Sequence, residues 1–127
     1  MANEAEVTVR TLLRSRESLS EEALAEILGC FTEDAVWHNM PVEPAVGKAA
    51  IAAVLRHAVP VSEGLDIEIK NVATQGTTVF VEHVDTHLGA GKKIVIPCCG
   101  VFETRDGLIS VWRDYFDMRT WKKQGGA

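Results

Sequence analysis

From Leu65 to Asp117 the chain runs as four strand-like segments joined only by Gln75-Gly76, Gly89-Ala90-Gly91 and Arg105-Asp106-Gly107. Connections this short can only reverse a chain, so successive segments must lie as antiparallel neighbours. Leu65, Ile67 and Ile69 alternate with Asp66, Glu68 and Lys70, the signature of a half-buried strand. Residues 77–88, 93–104 and 108–117 are predicted as the other three strands.

The first half of the sequence reads differently. Ala5, Val9, Leu12 and Leu13 fall on one side of a helix ending near Ser15. Ser18 and Glu21 have capping-box spacing, with Ser20 as a rival cap. Leu24, Ile27, Leu28 and Phe31 continue at helical spacing, and Thr32-Glu33-Asp34 reads as a turn. Residues 35–39 are predicted as a short strand. Ile51, Val54, Leu55 and Ala58 share a face of a third helix that Pro60 is expected to end. The expected fold is α+β: a curved, mixed, mostly antiparallel sheet packed against three N-terminal helices. The sheet and helices would enclose a cone with a pocket inside.

The chain has 127 residues, enough for a single domain spanning 1–127. The tail 122–127 carries nothing that would order it and is expected to be flexible. A net charge of -5 argues against a nucleic-acid partner, which wants a basic patch. Met1-Ala2-Asn3-Glu4 is polar and acidic, unlike a signal peptide, and no apolar run is long enough to span a bilayer. The three cysteines, Cys30, Cys98 and Cys99, do not form a secreted disulfide pattern, so a cytoplasmic protein is expected. Cys98 and Cys99 point to opposite faces of a strand, which makes them poor partners for one metal.

Charge on the strands carries the functional signal. Val79, Val81, His83, Asp85 and His87 share a face by parity, as do Trp112, Asp114 and Phe116. Trp37 and Asn39 share a face of the early strand. A pocket lined by Trp37, Trp112 and Phe116, with Asn39, Asp85 and Asp114 at its base, suits a small apolar molecule with one or two oxygens. Two carboxylates from neighbouring strands cannot both ionise cheaply there, so one keeps its proton, giving a general acid and a general base. A metal held by His83, His87, Asp85 and Asp114 is disfavoured, because the histidines lie roughly 13 Å apart along an extended strand. Arg113 and Asp117 are expected to form an outward salt bridge.

Asp34-Ala35-Val36-Trp37-His38-Asn39-Met40-Pro41, His83-Val84-Asp85 and Trp112-Arg113-Asp114-Tyr115-Phe116-Asp117 resemble the limonene-1,2-epoxide hydrolase family. That family has the cystatin-like cone fold shared with nuclear transport factor 2, ketosteroid isomerase and SnoaL-type polyketide cyclases. The resemblance covers nearly the whole chain. It implies Asp114 as the base that activates water, Asp85 as the acid that protonates the epoxide oxygen, and His83 as the bridge between them. It also implies that Asn39 and Trp37 hold the water. No metal or organic cofactor is implied. The chain departs from the family at two positions, with Trp37 in place of a tyrosine and His83 in place of an arginine.

The expected function is therefore one-step hydrolysis of an epoxide to a vicinal diol. Two alternatives remain on the residues alone: isomerase-like or cyclase-like proton transfer on a ketone, and a non-catalytic domain that binds a small ligand. The sheet's outer side carries valine, phenylalanine and isoleucine residues that favour a homodimer.

Overall fold

Helix α1 (Glu4–Leu12) starts where the Asn3 side chain accepts from the Ala5 and Glu6 amides. The computed structural model describes residues 3–59 and 61–126. Helix α2 (Glu21–Leu28) is capped by Ser20, whose hydroxyl accepts from the Ala23 amide, so the rival to Ser18 is the cap. Strand β1 (Phe31–Asn39) follows, then β2 (Ala45–Val46) and helix α3 (Lys48–His57). Pro60, expected to end α3, lies outside the described residues, as do Met1, Ala2 and Ala127.

The remaining strands are β3 (Gly64–Gln75), β4 (Thr78–Gly89), β5 (Lys92–Arg105) and β6 (Leu108–Tyr115). Together the strands form one six-stranded sheet in the order β2-β1-β6-β5-β4-β3. Only the β1–β6 pair is parallel; the others are antiparallel. The β5–β6 reversal places Asp106 and Gly107 at φ 52° and 79°, the doubly left-handed pair that a two-residue hairpin loop requires. Register shifts interrupt the β1–β6, β3–β4 and β5–β6 ladders, and irregularities of this kind bend a strand and increase its twist.

Two expectations need correction. Phe31 is not the end of a helical stripe, and residues 32–34 are not a turn. All lie in β1, which advances from Phe31 to Val36 while β6 advances only from Ile109 to Val111. This bulge resembles a turn in the sequence because the Thr32 hydroxyl donates to the Asp34 carboxylate at 2.8 Å, a local bond of the kind that makes turns. The second concerns the C-terminus. Helix α4 (Met118–Lys123) contains Lys122 and Lys123, and the Gln124 side chain accepts from the Val95 amide and donates to the Val95 carbonyl. Residues 122–124 therefore have ordering contacts.

The core lies between the helices and the concave face of the sheet. Val9, Leu24 and Ile51 from the helices meet Phe31, Val79, Val81, Phe102 and Ile109 from the strands. On β4 the odd-numbered residues from Val79 to His87 are all buried, so this face looks inward. Among the described residues no helix is long and apolar enough to cross a membrane.

Candidate active site

A cavity of about 340 Å³ opens between the helices and the sheet. All six residues expected in it line its wall: Trp37, Asn39, Asp85, Trp112, Asp114 and Phe116. Strand register accounts for this. Trp37 pairs with Trp112, and Asn39 with Asp114, across the parallel β1–β6 ladder. Side chains at paired positions leave the same face. The two indoles stack, with ring centroids 4.7 Å apart and planes 9° apart. They form a flat apolar wall directly beside Asn39 and Asp114.

Asp85 and Asp114 do not come from neighbouring strands. Asp85 is on β4 and Asp114 on β6, with β5 between them. Their backbones are thus about 9–10 Å apart, too far to share a proton directly. The His83 imidazole fills the gap. Its Nδ1 lies 2.6 Å from Asp85 Oδ1, and its Nε2 lies 3.4 Å from Asp114 Oδ1. The first contact is a short hydrogen bond; the second is longer than a normal hydrogen bond but close enough for charge attraction. His83 has no solvent exposure and does not line the cavity. It is a positioning residue behind the two carboxylates.

The electrostatics follow from this arrangement. Burial alone would hold His83 neutral, but Asp114 and Asp85 outweigh it and raise the imidazole to about 10. At neutral pH the ring is therefore positive and lies between two acids. Burial raises Asp114 above the ordinary carboxylate range, and the positive His83 offsets this only in part. A base with a raised pKa takes up a proton more readily than an exposed carboxylate.

Sequence reasoning missed three contributors. Gly100 faces Asp114 across the β5–β6 ladder, and a Cβ there would lie 3.0 Å from Asp114 Oδ1. A glycine inside a strand pattern is the available sequence signal for such a close approach. Cys98 pairs with His83 across β4–β5 and lines the cavity. Trp121 of α4 meets the buried His87 edge-on at 5.2 Å, and both line the cavity. His87 is therefore part of the cavity wall. Burial pushes its imidazole below the ordinary value, so it is neutral at pH 7.

Asp117 is not part of the site. It caps α4, accepting from the Arg119 amide and the Thr120 hydroxyl. Arg113 pairs with Glu103 rather than Asp117, because β6 ends at Tyr115 and the chain turns into α4. Cys98 is buried and Cys99 exposed, as strand parity requires.

The family model for the SnoaL-like domain matches residues 12–112. A Mycobacterium tuberculosis (strain ATCC 25618 / H37Rv) protein, epoxide hydrolase EphG, is 29% identical over 101 residues, covering 80% of this chain and 67% of that protein. The structure of an M. tuberculosis LEH-like epoxide hydrolase superposes with a TM-score of 0.78 at 28% identity, over 95% of this chain and 88% of the other. Bal32a, from a soil-derived mobile gene cassette, superposes with a TM-score of 0.75 at 25% identity, over 96% and 98% of the two chains.

Proposed function

This chain belongs to the SnoaL-like domain family, and from that premise we propose that it hydrolyses an epoxide on a small apolar molecule to a vicinal diol. One observation carries the reading. His83 bridges Asp85 at 2.6 Å and Asp114 at 3.4 Å behind the wall of an apolar cavity. This gives two carboxylates a common charge balance while leaving both facing the substrate space.

Asp114 removes a proton from water as the water oxygen attacks an epoxide carbon. The carbon–oxygen bond breaks, and Asp85 gives a proton to the departing oxygen. The diol is released with a proton now on Asp114 and missing from Asp85. Both acids line the cavity, so once the diol leaves, Asp114 releases its proton to water there and Asp85 takes one up. The charged His83 ring between them keeps both its protons and holds the pair in balance. Asn39, beside Asp114 in the ladder, holds the water with its amide. The Trp37 N–H is buried without a hydrogen-bond partner among the described residues and is the second donor to that water. Stacked indoles bind the apolar body of the substrate. The likeness to epoxide hydrolase EphG supports the same chemistry.

The test is a panel of small apolar epoxides in ¹⁸O-labelled water. Label in the diol is the expected outcome, with turnover of the Asp114→Ala variant reduced at least ~100-fold, the range for loss of a general base. Absence of diol from every epoxide overturns the reading. Proton transfer on a ketone is the second reading. It is favoured by the buried Trp37 N–H, which has no hydrogen-bond partner among the described residues, a donor of the type a developing enolate oxygen needs. Solvent deuterium entering a bound ketone without diol formation selects it. We also propose that the outer sheet face closes a homodimer, since Val95 and Tyr115 stand exposed on it.

A further inference from the structure

Cys98 has no part in either reaction, yet it sits beside His83 and Asp114. One ligand atom from each of His83, Cys98 and Asp114 lies within 4.8 Å of the other two. All three residues are buried. We propose that these three side chains form a binding site for a thiophilic divalent cation of the zinc class.

Four observations support it. First, His83 Nε2 and Asp114 Oδ1 are both buried and face each other at 3.4 Å, longer than a normal hydrogen bond, with no better partner among the described residues. A cation between them satisfies both. Second, the other ring nitrogen of His83 is bonded to Asp85 at 2.6 Å. A carboxylate behind a histidine fixes the ring and directs the opposite nitrogen at a metal. Third, among the described residues the Cys98 thiol has one hydrogen-bond contact, a weak one to the Ile96 carbonyl at 3.6 Å, so little opposes its turning. Donors around zinc stand about 3.3–3.8 Å apart, so the longest separation closes by roughly 1 Å. Fourth, Asp114 and Cys98 line the cavity, which leaves a coordination position facing open space.

The donor set selects the ion. Thiolate, imidazole and carboxylate together suit zinc and cadmium and exclude magnesium and calcium, which take oxygen ligands. On binding, the metal replaces the protons on Cys98 Sγ and His83 Nε2, and these leave to solvent. The ligands come from β4, β5 and β6, so no short sequence spacing announces them. An ion here also occupies the carboxylate proposed as the base.

The experiment titrates the full, metal-free chain with Cd²⁺ and follows the ultraviolet thiolate-to-cadmium band. One equivalent should saturate the band, Zn²⁺ should compete it away, and Mg²⁺ should leave it unchanged. Cys98→Ser should abolish the band, whereas Cys30→Ala and Cys99→Ala should retain it. Asp114→Asn should weaken Cd²⁺ binding at least tenfold, a second test that keeps the thiol. Absence of the band, its persistence in Cys98→Ser, its loss in Cys99→Ala or unchanged affinity in Asp114→Asn overturns the proposal. No substrate enters the titration, so a failure of the epoxide reading leaves this result standing, and the reverse also holds.

Discussion

Gly100 and His83 make the buried position of Asp114 tolerable, one by space and one by charge. A Cβ at Gly100 would lie 2.8 Å from the Phe102 ring and 3.0 Å from Asp114 Oδ1. Phe102 is fully buried and cannot swing away. Gly100→Ala should therefore cost about 1–3 kcal/mol, the usual range for overpacking, and should displace the carboxylate. Urea denaturation with epoxide turnover measures both effects, and an unchanged midpoint contradicts the close fit. His83 gives a pH signature. Folding raises its pKa from the ordinary 6.5 to about 10, so the folded state favours the charged ring. That stabilisation is complete below about pH 6.5 and is lost as pH rises through 10. Between those limits the wild type should lose on the order of 4 kcal/mol that a His83→Gln variant does not lose. Parallel slopes for the two proteins contradict the bridge. Asp114 shifts upward for the opposite reason, burial of its charge. The acid limb of turnover should thus lie above the ordinary carboxylate range.

At the scale of elements, β5 outruns its neighbour. The last β5–β6 pair is Cys99 with Tyr115, which leaves the start of β5 without β6 beside it. Gln124 takes over at that edge. Its Oε1 accepts from the Val95 amide at 2.7 Å, and its Nε2 donates to the Val95 carbonyl at 2.8 Å. One side-chain amide thus imitates a strand partner. Gln124→Ala should cost about 1 kcal/mol and speed hydrogen exchange at the Val95 amide. Unchanged exchange there contradicts the role. Helix α4 was not legible in the sequence because six residues, 118–123, are too few to display a 3.6-residue stripe. The bulge in β1 was missed for a related reason. Alternation identifies a strand only while pairing stays regular, and between Phe31 and Val36 it does not.

For the whole molecule, one large surface is unexplained by a single chain. Phe80, Val84, Val101 and Val111 are half-buried on the outward positions of β4, β5 and β6, beside exposed Val95 and Tyr115. Sedimentation equilibrium should give twice the 13.9 kDa chain mass, and Val84→Glu with Val101→Glu should give the single-chain mass. A monomeric wild type at tens of micromolar contradicts the dimer. The sequence by itself determined the antiparallel run of β3 to β6, because two- and three-residue turns leave no other geometry. It also determined that His83 shares a face with Asp85, and Trp112 with Asp114, since side-chain direction has a period of two. It left open which face of β4 looks inward, because apolar residues stand on both. It did not determine the order of strands. Pairing β1 parallel to β6 brings Asn39 beside Asp114, and that contact joins residues 75 positions apart. It also did not reveal that β5 separates the two acids, so that His83 and not a direct contact links them. Local pattern encodes which residues of one strand share a face, whereas which face is covered and which residues meet on it depend on long-range pairing, and only the folded sheet decides them.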